Sequence, residues 1–260
     1  MNPTSRGRAQ TPDPDVLKVI ADAGAALLAS GGEVARVEDT MQRLARAYGV
    51  EAVEVIVLPT ALFINAGGNT VIRRIRNRSV NLAVVASINQ LSRDVSRNPI
   101  PLGELEERLA QARHASRYRP SANLLFAGVA AGALSQLVGG RGADVLPAVI
   151  GGALTQIVRQ WFRRIGLANG VGDMGAAAVA VLPAVACAYW RVPRPGSVLV
   201  GGIMVLTPGL LMTTAVRDGI EGDLLSAAAR VLEALLSAGA IAAGASLPLY
   251  LYLALGGHWA

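Results

Sequence analysis

The chain has 260 residues, of which 52% are hydrophobic and 16% charged, with a formal charge of +6. An average soluble domain carries roughly 25% charged residues, and a mean hydropathy of +0.43 excludes a disordered chain. One cysteine, Cys187, excludes a disulfide framework and a thiolate metal centre. One lysine, Lys18, sits in no G-x-x-x-x-G-K motif, which excludes a P-loop, and two histidines, His114 and His258, leave little for metal or triad chemistry. No catalytic set, cofactor or metal is therefore expected.

Charge is unevenly placed. Residues 1–119 hold 16 basic and 12 acidic residues, and residues 120–260 hold 8 and 6. This density change predicts a disordered N-terminus at 1–12, an α+β domain at 13–118 and an all-α polytopic membrane domain at 119–257. The polar, proline-containing start is followed by no unbroken apolar h-region of a secretory signal, so the α+β domain is expected in the cytoplasm.

In that first part, Val16, Val19, Ile20, Ala23 and Leu27 stripe one helix, stopped by Gly31-Gly32. Val34, Val37, Met41, Leu44 and Tyr48 stripe a second, stopped by Gly49. The period then changes. Val53, Val55 and Val57 alternate, Leu62-Phe63-Ile64 follows Pro59, and Gly67-Gly68-Asn69 turns into a strand from Val71, which predicts a hairpin or small sheet. Val84, Ile88, Leu91 and Val95 mark a third helix, and Leu102, Leu105 and Leu109 a fourth. The arginines at 73, 74, 76 and 78 have no interleaved aromatic residue for base stacking. They are expected to form a solvated strand face or to meet anionic headgroups, not nucleic acid.

A helix crosses the bilayer core with about 20 apolar residues. Candidate spans lie at 120–138 (with Gly128-x-x-x-Gly132), 143–160, 174–190, 195–216 and 224–255, about five in all. With the N-terminus inside, the inner flanks hold Arg113, Arg117, Arg119, Arg159, Arg163, Arg164 and Arg217. The outer loops hold Arg141, Arg191 and Arg194. This bias favours a multi-pass protein with N in and C out.

Two patterns invite over-reading. Gly170-Val-Gly172-Asp-Met-Gly175 has the dinucleotide spacing, but no strand precedes it, so an inner loop and helix cap are expected. Gly132-Ala-Leu-Ser-Gln-Leu-Val returns as Gly152-Ala-Leu-Thr-Gln-Ile-Val, read as coincidence or helix-packing hydrogen bonds in preference to duplication.

The informative stretch is Thr207-Pro208-Gly209, then Thr213-Thr214 and Arg217-Asp218. Pro208 removes an N–H and Gly209 adds freedom, so together they can break a spanning helix. The freed backbone groups and the three threonine hydroxyls can then bind a substrate carboxylate, as half-helix ends in transporters do. Arg217 can clamp a carboxylate and Asp218 an ammonium. Asp223, Arg230 and Glu233 are candidates for a coupling or charge network. The plain alternative is a solvated loop at 217–223, an intrahelical Arg230–Glu233 pair and a kink that serves packing.

The chain resembles the threonine/serine exporter family, in particular the larger subunit of two-component members that include bacterial succinate exporters. Ser30-Gly-Gly-Glu33-Val-Ala-Arg36-Val-Glu38-Asp-Thr-Met41 is similar to its N-terminal signature. Asn81-Leu82, Asn89 and Leu91-Ser92-Arg93 are similar to its second helical signature, and Pro208-Gly209, Arg217-Asp218, Gly222-Asp223 and Arg230 to its membrane signature. Val34-Ala35 departs from the family's aromatic variant, so no aromatic role carries over. The resemblance implies a cytoplasmic N-domain with about five membrane helices in the bacterial inner membrane. It further implies proton-driven export of amino acids or dicarboxylates, a small membrane subunit as partner because fused members carry a second membrane domain, and motif roles for Arg36, Glu38, Asn81, Asn89 and Arg93. A homo-oligomer is also compatible with it. A hydrolytic N-domain has little to draw on, since Ser30 and Ser92 have only His114 as a base. The competing reading is a membrane-anchored sensor or scaffold whose N-domain carries the activity.

Overall fold

The computed structural model describes residues 13–76, 80–114, 118–167, 169–192 and 194–259. The N-terminal stretch 1–12, Arg78 and Arg117 lie outside them. The described residues are mostly helical with one three-stranded sheet, and the chain divides into two compact units. Unit 1 comprises residues 1–117 and 214–229, and unit 2 comprises residues 118–213 and 230–260.

Unit 1 opens with α1 (Pro14–Ala29). Asp13 caps it by accepting from the Asp15 amide at 2.9 Å, and Pro14 sits at the first helical position, where a missing N–H costs nothing. Gly31, at φ +91°, ends it, with the Gly32 amide returning to Leu27 O at 2.9 Å. The helix α2 (Val34–Ala47) follows. Then β1 (Glu54–Leu58), β2 (Ala61–Ala66) and β3 (Asn69–Arg74) form an antiparallel sheet in the order β1-β2-β3. Ala66 pairs with Asn69, so Gly67-Gly68, both at positive φ, make a two-residue hairpin turn. Alternate residues of β2, Leu62, Ile64 and Ala66, are buried against the helices. The helices α3 (Leu82–Arg97) and α4 (Leu102–Arg113) complete the core, in which Leu17, Ile20, Leu27, Met41 and Ile88 are almost fully buried. Arg73 is not simply solvated: its Nε meets Asp22 of α1 at 2.6 Å, whereas Arg74 and Arg76 are exposed.

Unit 2 contains α5 (Pro120–Leu137), α6 (Gly142–Arg164), α7 (Asn169–Tyr189) and α8 (Pro195–Met204). The helices α9 (Gly209–Ile220) and α10 (Leu224–Ala254) each contribute residues to both units. The charge-density reading did not separate 214–229 from the membrane part; here that segment packs within unit 1. Glycines set the α5–α6 seam. A Cβ on Gly132 would lie 2.8 Å from Val149, and one on Gly152 would lie 2.5 Å from Ala127 O, so the two copies of the repeated heptapeptide face each other's helix. The Thr155 hydroxyl bonds Gly151 O of its own helix, so close packing unites this seam and that hydroxyl does not cross it. The Gly170–Gly175 stretch is no loop: α7 already runs from Asn169, and Gly175 leaves room for the Phe162 ring, 2.6 Å from where a Cβ would sit.

Among the described helices, Gly170–Tyr189 and Leu224–Ala254 are long and apolar enough to cross a membrane. The α8–α9 pair, bent by 54°, supplies a third if taken as one span, and α5 is apolar but shorter. Outward-facing Phe126, Val129, Leu182, Leu236 and Leu251 are exposed, an apolar exterior of the kind that faces lipid.

Candidate functional site

The N-terminus of α2 is built by residues from opposite ends of the sequence. Glu33 occupies the N-cap position but makes no side-chain cap bond. Its carboxylate is engaged elsewhere: Oε1 meets Arg217 Nη1 at 3.0 Å and Oε2 meets Arg36 Nη2 at 3.3 Å. The cap comes from α9, where Asp218, with no exposed surface, accepts from the Val34 amide at 3.3 Å. A carboxylate there satisfies an orphan helix donor and meets the positive end of the helix dipole. Arg217 also reaches Glu221 at 3.3 Å. Within unit 1, then, the Ser30–Met41 signature and the Arg217-Asp218 signature form one polar junction.

The remaining motif residues hold unit 1 together. Glu38 accepts from the Val57 amide of β1 at 3.2 Å. Burial, partly offset by that bond and reinforced by the nearby Asp223 charge, raises its carboxyl above the ordinary carboxylate range. Asp223, in the α9–α10 turn, is raised likewise by burial and by Asp218 and Glu221. Asn89, buried, accepts from the Thr40 hydroxyl at 3.1 Å, and the Asn81 amide bonds Ser30 O at 3.0 Å. Arg93 bonds Gln90 at 2.7 Å on the exposed face of α3. Ser92 is sealed in the core with its hydroxyl on Asn89 O, which leaves it poorly placed as a nucleophile.

The break lies in unit 2. α8 ends at Met204, and residues 205–208, Thr207-Pro208 among them, separate it from Gly209, the start of α9. The Gly209 amide bonds Thr207 O at 2.8 Å, and the Met212 amide bonds Pro208 O at 3.1 Å. Thr207 and Thr213 are exposed, with the Thr213 hydroxyl on Leu210 O at 3.1 Å. Thr214, Arg217, Asp218 and Asp223 fall in unit 1, whereas Thr207, Pro208, Gly209, Thr213, Arg230 and Glu233 fall in unit 2.

The sequence reading passed over a second polar set in unit 2. Asp173 of α7, 4% exposed, meets Arg159 of α6 at 3.2 Å through Oδ1 and accepts from the Ser237 hydroxyl of α10 at 2.8 Å through Oδ2. Arg230 and Glu233 precede Ser237 by two turns and one turn, on the inward stripe of α10. Asp144 of α6 is also buried. The available signal was the residue type itself, a carboxylate or guanidinium inside an apolar helix. Treating Asp173 and Arg159 as span boundaries concealed it. Among the described residues, no group of three or more His, Cys, Asp or Glu converges as a metal set.

The family model described as "Putative threonine/serine exporter" (ThrE) matches residues 18–252. Among curated proteins, a "Probable threonine/serine exporter" of Mycobacterium tuberculosis is 27% identical over 228 residues, 84% of this chain and 42% of that protein. A "Threonine/serine exporter" of Corynebacterium glutamicum is 25% identical over 249 residues, 91% of this chain and 51% of that protein. The chain thus spans about half the length of these relatives. No solved structure matches it. Matched over nearly all of its length, the chain belongs to the threonine/serine exporter family.

Proposed function

We propose that this chain is part of a secondary-active exporter of small amino acids, threonine and serine foremost, with dicarboxylates such as succinate as the next class to try. The observation that carries the proposal is the 54° break at Thr207-Pro208 inside an otherwise apolar segment. A helix interrupted there exposes backbone donors and acceptors that are tolerated in a membrane when they line a polar path. In this reading Thr207, Gly209 and Thr213 contact the substrate. Arg217 and Asp218 hold α9 to α2 within unit 1, and Asp223, Arg230 and Glu233 serve the charge network. About five spans cross the bacterial inner membrane, the N-terminal unit faces the cytoplasm, and an ion gradient drives export, the proton gradient being the first to try. A small membrane subunit of the same family is the proposed partner.

The test is export from cells lacking their own exporters. The chain is expressed with and without a candidate second membrane subunit, and threonine, serine and succinate in the medium are quantified by mass spectrometry. Export of one class above the empty-vector level supports the reading and selects the substrate. No export of any of them, with the proteins shown to be in the membrane, counts against it.

A further inference from the structure

Both carboxylate oxygens of Asp173 are engaged, but only one of Asp144's is. Asp144 is 1% exposed, and its Oδ2 accepts from the Arg141 amide at 2.7 Å, while its Oδ1 has no hydrogen-bond partner among the described residues. Across the short α5–α6 turn lies Ser135, with no exposed surface, whose hydroxyl is likewise without a partner. The two orphaned groups flank the same α5–α6 turn. A Cβ on Gly140 would lie 2.8 Å from Ser135 Oγ and 3.0 Å from Ser197 Oγ of α8, and the next residue's amide is the one bonded to Asp144. Gly140 carries no side chain, and a Cβ there would also crowd Ser135 O, 2.7 Å away.

The surroundings narrow what the site can hold. Ser197 donates to Arg194 O at 2.9 Å, which leaves its oxygen lone pairs available, and the Arg194 guanidinium is engaged by Gly139 O. Ala148, one turn beyond Asp144 on α6, packs against Cys187 and Val198. Among the described residues, Arg141 and Arg194 stand near the turn, and the Cys187 thiol of α7 is within electrostatic reach of Asp144. The helix N-terminus and the Arg141 amide stabilise one carboxylate oxygen. The other oxygen is stripped of water with nothing in return, an expensive state for a buried charge. A carboxylate oxygen and one or two neutral hydroxyl oxygens are the ligand types that a small cation takes.

We propose that Asp144 Oδ1, with Ser135 Oγ and Ser197 Oγ, binds one small monovalent cation, H⁺ or Na⁺, and that this is the ion whose gradient drives export. A proton would sit on Asp144 Oδ1, and a sodium ion would be ligated by the oxygens directly. The coupling role rests on the exporter reading, but the binding does not.

The test therefore uses no substrate. The full chain is purified in detergent, and its melting temperature is followed against Na⁺, with choline holding ionic strength, and separately against pH from 5 to 9. Wild type is compared with Asp144→Asn and Ser135→Ala. For a sodium site, Na⁺ raises the wild-type melting temperature to saturation, Asp144→Asn abolishes the rise and Ser135→Ala weakens it. For a proton site, Na⁺ does nothing particular, and the wild-type melting temperature falls with rising pH through a step that Asp144→Asn removes. Identical Na⁺ and pH responses in wild type and Asp144→Asn overturn the proposal. If Asp144→Asn does not accumulate, Ser135→Ala is read on the same axes, and a response identical to wild type overturns it equally.

Discussion

The carboxylate of Asp218 caps the helix that begins at Val34, accepting the Val34 amide at 3.3 Å across 184 residues of sequence. Ordinarily the N-cap residue does this for itself. Here Glu33 holds that position and gives its side chain to Arg36 and Arg217 instead. Two short motifs, unremarkable alone, become a single mechanical joint within unit 1.

Removing the cap should weaken unit 1. Asp218→Ala is expected to cost about 1 kcal/mol, with an upper figure of about 2 kcal/mol for a cap in this position. Asp218→Asn, which keeps an acceptor oxygen, should lose much less. Thermal melts of the full chain in detergent, read on the helical signal, check the order Asp218→Ala below Asp218→Asn below wild type.

The Arg217–Glu33 pair should matter little to stability and much to export. Arg217 is 52% exposed at its side chain, and pairs so exposed contribute roughly 0–1 kcal/mol. Arg217→Ala should therefore melt within about 1 kcal/mol of wild type yet lose export. The swap Glu33→Arg with Arg217→Glu should recover part of it, because the joint is remade with the charges exchanged. Export assays beside melts separate the two effects.

The raised carboxyls of Glu38 and Asp223 give a pH dependence of defined sign. An acid whose folded pKa lies above its unfolded one holds more protons when folded, so folding gains stability as pH falls through that window and loses it as pH rises. Stability of unit 1 should decline as pH rises above the ordinary carboxylate range. Glu38→Gln, which can still accept from Val57, should flatten that decline, and Asp223→Asn should flatten it further. A melting series across that range reads the slopes.

Helix packing in unit 2 should discriminate sharply between glycines. A Cβ at Gly201 would lie 2.5 Å from Ala131 O and one at Gly244 would lie 2.0 Å from Met174 O, both backbone atoms that cannot swing aside; at Gly239 nothing lies within 4 Å. Gly201→Ala and Gly244→Ala should each cost on the order of 1–3 kcal/mol, whereas Gly239→Ala should be neutral or slightly stabilising. Yield and melting temperature of the three variants give the comparison.

Periodicity made the elements of unit 1 legible. The stripe from Val16 to Leu27 is α1, and Gly67-Gly68 is the β2–β3 turn, because amphipathic spacing and positive-φ glycines are local properties. Pro208-Gly209 was legible as a break for the same reason. Long-range pairing was not. Nothing local in Arg217-Asp218 says that its partners are Glu33 and Val34, and charge density averaged over a segment placed 214–229 with its neighbours in sequence. Arg159 was counted as a flank and Asp173 as the residue before a span, and Asp144 drew no reading, because each stands near a helix end, where a charge is ordinarily solvated. Their burial depends on which helix packs alongside, and that information resides in Gly132, Gly152 and Gly244 and in the backbones they admit.

The Asp218 cap also sets an order of events during synthesis. Val34 leaves the ribosome 184 residues before Asp218, an interval of roughly 10–40 s at bacterial and eukaryotic elongation rates. Throughout it α2 has an open N-terminus, and Glu33 and Arg36 lack their third charge. The fold begun first is finished by a segment that emerges only after α5 to α8 have been made, so a chain stalled or clipped among those helices carries an N-terminal unit missing one of its own joints.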